Sequence, residues 1–179
     1  MLTDARLASR AVHGGDRRRK PESSLTEPIV CAATYTFENA AEIADHFEGR
    51  ISREEYGRYG NPTVRAAERK VAALDGAEDA VLFGSGMAAV STCLLAILRS
   101  GQHVVMTSDC YRRTRQLVAS ALARFGIDAT LVPPGDLDAL EAAIVPGRTR
   151  LLVTESPTNP YLRVADIPAI GRIAKRRGV

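Results

Sequence analysis

From Val64 an apolar residue recurs every three or four positions, at Val64, Ala67, Val71 and Leu74, while Arg65, Glu68, Arg69 and Asp75 fill the other face. That period predicts a surface helix, entered after Asn61-Pro62 and stopped by Gly76. Beyond Ala77 the pattern becomes short apolar runs at 80–83 (AVLF), 104–106 (VVM), 129–132 (ATLV) and 151–154 (LLVT), which read as strands. Between them lie a nearly all-apolar helix over 87–98, expected to be buried, and one over 112–125 with Leu117, Val118, Ala121, Leu122 and Phe125 on one face. A shorter helix follows at 137–144. A last one starts near Asp166 as N-cap, with Pro168 in its first turn, buries Ile170 and Ile173, and runs out toward Val179. Strands alternating with helices predict an α/β fold with a mainly parallel sheet. Residues 1–60 have weak periodicity and read as an extended arm with a short helix at 40–47 and little core of its own. The predicted organisation is therefore an arm and loop over 1–60 and an α/β segment over 61–179, ending where a further strand would begin.

Composition narrows the function classes. The 179 residues are 45% hydrophobic and 25% charged, with a formal charge of +3. No apolar run can span a bilayer and no signal-peptide pattern opens the chain, so neither a membrane nor export is expected and the default location is cytoplasmic. The small, dispersed charge gives no nucleic-acid surface. The basic run Arg17-Arg18-Arg19-Lys20 reads as a solvated arm or a subunit contact. Cys31, Cys93 and Cys110 lack metal spacing and do not cluster with His13, His46 or His103, so neither a disulfide nor a metal site is expected.

Open α/β sheets bind ligands at the carboxyl ends of their strands, so Gly84-Ser85-Gly86, Asp109-Cys110-Tyr111 and Glu155-Ser156-Pro157-Thr158-Asn159-Pro160 should share one rim. The first loop leads from a strand into a helix. Its unpaired N–H groups suit a phosphate, although Ser85 could simply cap the helix. Tyr111 could stack on a planar ring or close the core. Asn159, between two prolines, could bond a ligand oxygen or shape a turn. Tyr56 and Arg58 could reach an anion, or Arg58 could be solvated.

Four stretches carry a resemblance that joins these pieces: AVHGG (11–15), EPIVCAATYTF (27–37), YGRYGNPTVRAAERKVAALDGAEDAVLFGSGMAA (56–89) and ESPTNPYLRVADI (155–167). Together they resemble the Cys/Met-metabolism family of pyridoxal-phosphate enzymes: cystathionine synthases and lyases, methionine lyases and O-acylhomoserine sulfhydrylases. The resemblance implies the N-terminal part of the aspartate-aminotransferase-like large domain (fold type I) and pyridoxal 5'-phosphate as cofactor. It implies that Gly86 and Met87, beside Ser85, give N–H groups to the cofactor phosphate, and that Tyr56 and Arg58 reach the phosphate of a neighbouring protomer's cofactor. Tyr111 would stack on the pyridine ring, and Asn159 would lie near the phenolic oxygen and the substrate carboxylate. Tyr111 and Tyr56 would assist proton transfers during elimination or replacement at the β- or γ-carbon of a sulfur-containing or O-activated amino acid. Glu155 belongs to the motif without an implied role.

Two departures qualify the resemblance. Where the family usually follows the stacking tyrosine with two glycines and a threonine, this chain has Arg112-Arg113-Thr114. The cations could crowd the pocket, bind an anion or turn outward to a partner. Second, the family's acid for the pyridine nitrogen and its Schiff-base lysine fall beyond Val179. Lys20 sits in the arm, Lys70 on the polar face of a surface helix and Lys175 near the C-terminus, and none is at a strand's carboxyl end. The leading expectation is an N-terminal subunit of a split enzyme, self-associating through the Tyr56/Arg58 loop. A C-terminal-half subunit would bring the aspartate and lysine. A noncatalytic assembly or regulatory subunit, or a fragment of a full-length relative, are the other readings.

Overall fold

The computed structural model describes residues 7–179, as one compact unit ending at Leu82 and a second over Phe83–Val179. In the first, α1 (Leu7–His13), α2 (Ala40–Phe47) and α3 (Pro62–Asp75) are joined by extended chain. Helix α2 lies where the pattern placed it, capped by the Asn39 side chain accepting from the Glu42 N–H. Helix α3 is capped by Asn61, whose side-chain oxygen accepts from the Thr63 and Val64 N–H groups, and ends at Gly76 in the left-handed conformation that glycine adopts most readily.

The arm packs on α3, but on a different face from the one the apolar spacing suggested. The Arg10 guanidinium donates to the Ala73 and Leu74 carbonyls, Arg69 pairs with Glu27 at 3.1 Å, and Lys70 pairs with Asp16 at 3.0 Å. Val64 and Val71, expected to be the buried stripe, remain about 40% exposed. Polar bonds to an arm with few apolar residues to offer thus decide the packing face. The expected strand at 80–83 does not form: the Leu82 N–H donates to the Glu68 carboxylate at 2.9 Å, and the Ala80 N–H to Asp79. A strand exists only when a neighbour takes its backbone groups, and here side-chain carboxylates take them instead.

The second unit holds a three-stranded parallel sheet in the order β2-β1-β3, from β1 (His103–Thr107), β2 (Asp128–Val132) and β3 (Thr149–Val153). All three were predicted. β1, buried at every position, is the central strand, as a run apolar on both faces requires. On one side α4 (Gly86–Ile97) and the helical turns that continue α5 (Arg112–Gln116) pack on the sheet through Leu94, Leu98, Met106, Val118 and Leu122. On the other, α6 (Leu137–Ala142) and α7 (Ile167–Arg177) pack through Val105, Leu140 and Ile173. Asp166 caps α7 by accepting from Ala169, and Ile173 is buried with Ile170 packed beside it, as the pattern indicated.

Two helices differ from expectation. Helix α4 is not buried as a whole: Leu94 is, while Leu95 is 57% exposed. One face meets the sheet, and among the described residues nothing covers the other. The helical run at 112–125 leaves α geometry at Leu117–Ala121 for a π turn and ends in a 3-10 turn, so Phe125 swings out to 64% exposure. The Ser120 hydroxyl donates to the Gln116 carbonyl and the Leu122 N–H reaches back five residues to Leu117. Such back-bonding competes with the regular ladder.

At the amino end of the sheet His103 ties the three strands together, its Nδ1 2.8 Å from the Thr149 hydroxyl and its Nε2 2.9 Å from that of Thr130. Burial, aided by the nearby Arg148 cation, pushes its pKa below the ordinary imidazole value. A depressed folded-state pKa means that the unfolded chain binds the proton more readily, so stability present above the ordinary value is lost as pH falls through it. Urea midpoints at pH 8 and pH 5 should therefore fall further apart in the native chain than in His103→Asn, and equal differences would show that the ring does not couple to folding.

Candidate active site

β1 and β3 end side by side, and the loops that leave them carry most of the polar groups singled out in the sequence. The Thr107 hydroxyl, on the last residue of β1, lies 3.3 Å from that of Thr154 and 3.2 Å from the Cys110 thiol. Burial pushes the Cys110 thiol above its ordinary pKa, opposed by the Thr107 hydrogen bond and reinforced by the Glu155 and Asp109 carboxylates. Cys110 is a buried packing group whose thiolate is disfavoured there.

Tyr111 follows at the entrance to α5 and is 44% exposed. It shares a cavity of about 290 Å³ with Asn159, Asp109, Arg112 and Arg115. The Asn159 loop is held by three bonds: Thr158 N–H to the Arg163 carbonyl, Leu162 N–H to the Thr158 carbonyl, and Arg163 N–H to the Thr158 hydroxyl. The structure thus brings Tyr111 and Asn159 together. At that exposure Tyr111 does not close the core among the described residues. Arg113 turns along the helix surface, donating to Gln116 at 2.9 Å.

Ser85 caps α4, its hydroxyl accepting from the Ala88 N–H at 3.1 Å, so the cap and the anion site are compatible. First-turn N–H groups such as those of Gly86 and Met87 have no partner inside a helix. A Cβ built on Gly84 or Gly86 meets nothing within 4 Å, so the space before the helix is open. Met87 is linked to the Tyr111 helix by the Thr114 hydroxyl, 3.8 Å from its sulfur.

Tyr56 and Arg58 lie together in the first unit. Thr34 and Tyr56 form an antiparallel bridge that fixes the loop backbone. The Arg58 guanidinium lies 4.9 Å over the Tyr56 ring and 5.2 Å over that of Tyr59, and among the described residues no carboxylate pairs with it. It is a cation held by aromatic faces and presented outward. The Tyr59 contact was not read from the sequence, although its place one residue after Arg58 in an aromatic-rich loop is the signal that could have given it.

Sequence reading placed Asp109 in a rim loop without a role and missed Arg163. Asp109 is 4% exposed, with Arg163 3.7 Å away. Its position directly after an apolar strand, two residues before Tyr111, was the available sign.

The chain has relatives among known proteins. Residues 8–179 match the family described as Cys/Met metabolism PLP-dependent enzyme. Cystathionine gamma-synthase 1 of Nicotiana tabacum is 42% identical over 170 residues, covering 94% of this chain and 32% of that protein. O-succinylhomoserine sulfhydrylase of Pseudomonas aeruginosa is 39% identical over 177 residues, covering 99% of this chain and 43% of that protein. Among solved structures, a putative O-acetylhomoserine (thiol)-lyase of Campylobacter jejuni, carrying pyridoxyl-lysine monophosphate, superimposes with a TM-score of 0.86 at 31% identity. That superposition covers 98% of this chain and 43% of that one. The chain spans about a third to two fifths of the length of the relatives it matches. The family match takes in nearly the whole of the described chain, and the chain belongs to the Cys/Met-metabolism family of PLP-dependent enzymes.

Proposed function

We propose that this chain supplies the phosphate grip and the ring-stacking surface of a pyridoxal 5'-phosphate site while another polypeptide supplies the lysine and the acid. The two together would act by elimination or replacement at the β- or γ-carbon of sulfur-containing or O-activated amino acids. The single observation that carries the reading is an asymmetry at the strand ends. Tyr111 and Asn159 share a cavity there. The three lysines lie elsewhere: Lys70 pairs with Asp16, Lys175 is in the last turn of α7, and Lys20 precedes a 3-10 turn in the arm.

The residues present fit the cofactor. Open space before α4, with N–H donors and the positive end of the helix dipole, suits a phosphate. Gly86 and Met87 would hold it, with Ser85 fixing the turn. The Tyr111 face would hold the ring, and the Asn159 amide would donate to the ring oxygen and orient the substrate carboxylate. Bound there, the cofactor would supply an electron sink for the substrate carbon that loses its proton. Tyr111 would keep water from one face of the ring. The Tyr111 and Tyr56 hydroxyls would hold and pass protons. Tyr56 and Arg58 would serve the phosphate of a neighbouring copy, so the assembly would contain at least two copies of this chain.

The test is to mix the chain with a C-terminal chain of the family carrying the lysine and the acid, and to add pyridoxal phosphate. A stable complex with a new visible absorption band and amino-acid turnover, absent from either chain alone, is the expected result. A mixture in which no complex and no band forms contradicts the proposal.

A further inference from the structure

Asp109 has no role in the reading above, yet its environment calls for a partner. Neither carboxylate oxygen has a hydrogen-bond partner among the described residues. Arg163 is 3.7 Å away, beyond hydrogen-bond reach, with its side chain 56% exposed and its guanidinium lying over the Tyr161 ring at 4.9 Å. A buried carboxylate without donors is strongly unfavourable, and a single distant, solvated cation offsets little of that.

The donor can arrive from a cavity. Asp109 forms part of the wall of a space of about 560 Å³ at the carboxyl ends of the strands, a volume typical of small-molecule sites. Glu155, Thr107 and Thr154 bring further acceptors to the same wall, which also carries the half-exposed Arg163. Leu137, Leu140 and Ile170 make an apolar wall.

We propose that this cavity binds a small primary alkylammonium ligand, its N–H groups donating to Asp109 and Glu155 and its alkyl stem lying against Leu140 and Ile170. The chemistry selects this class. Ionised carboxylates only accept, so the ligand must donate, and an ammonium group brings three donors to two carboxylates and a threonine hydroxyl. The apolar wall selects a stem of several methylenes over a bare cation. Glu155, which the family motif includes without a role, gains one here. The inference rests on this chain alone and stands or falls separately from the pyridoxal reading.

The test is a titration of the isotope-labelled full chain, without pyridoxal phosphate, followed by amide NMR shifts. The probe is n-butylammonium chloride. Tetramethylammonium chloride, with equal charge and no N–H, and 1-butanol, with a similar stem and no charge, serve as controls. Saturable shifts at Thr107, Thr154 and Glu155 are expected with butylammonium alone. Asp109→Asn should weaken its binding about tenfold or more, as loss of a charge-assisted hydrogen bond implies. Glu155→Gln gives a second variant should the first not fold. The proposal is overturned if tetramethylammonium or butanol saturates the same amides at similar concentrations, if butylammonium shows no saturation, or if a folded variant binds it as the native chain does.

Discussion

Leu94→Ala should destabilise the chain by about 2–5 kcal/mol, while Leu95→Ala, one residue along the same helix, should change stability by no more than about 0.5 kcal/mol. Leu94 is 2% exposed and packs in the cluster that joins α4 to the sheet, with Leu98, Met106, Val118 and Leu122. Truncating it loses the transfer free energy of three carbons and leaves a cavity that close-packed neighbours fill only in part. Leu95, about 100° further round the helix, is 57% exposed and has little burial to lose. Domains of this size have only about 5–15 kcal/mol in total, so the first substitution should shift the urea midpoint severely. Similar shifts for the two variants would mean that α4 is covered on both faces in solution. In the complex with a C-terminal chain, a newly acquired cost for Leu95→Ala would mark that face as part of the interface.

The second large effect is expected at the outward cation. Arg58→Ala combined with Tyr56→Phe should weaken pyridoxal phosphate binding by the complex about tenfold to a hundredfold, with chain stability nearly unchanged. Charge-assisted hydrogen bonds from a guanidinium contribute about 1.5–3 kcal/mol each when water is excluded. In the first unit Arg58 stacks on Tyr56 and Tyr59, contacts that contribute about 0.5–1 kcal/mol at an exposed site, and donates one long, exposed hydrogen bond to the Tyr59 hydroxyl at 3.4 Å. The difference between those magnitudes separates a phosphate ligand from a surface ornament. Fluorescence or absorbance titration of the cofactor, run beside urea melts, reads both quantities. Undiminished affinity would remove these two residues from the site.

Those expectations draw on features of differing legibility in the sequence. β1, β2, β3 and α7 were readable because their signals are local: apolar runs of strand length, an Asp166 cap and a proline in the first turn. The segment at 80–83 has equally good strand composition, but a strand is a pairing and the pairing partner is not a local property. The stripe on α3 failed for a related reason. Period shows which residues could be buried, while the arm's Arg10, Asp16 and Glu27 decided which face was covered. The π turn at Leu117–Ala121 was hidden because a single serine hydroxyl at Ser120 competes for one carbonyl, a choice that helical periodicity does not record.

In the site, Tyr111 and Asn159 were legible as residue types in strand-end loops, and the structure places them on one cavity. Asp109 was not. An acidic residue after a strand usually reads as a solvated loop position, and only the packed structure reveals a carboxylate buried without donors.

The central claim is that this chain holds the cofactor and does not capture it covalently. Borohydride reduction followed by peptide mass spectrometry tests it directly, with pyridoxal phosphate at one equivalent and the chain studied alone and with a C-terminal chain. No stoichiometric pyridoxyl group is expected on Lys20, Lys70 or Lys175 in either sample, and a label is expected on the lysine of the companion chain in the second. A stoichiometric label on any of those three lysines in the chain alone, accompanied by turnover of an amino acid, would contradict it.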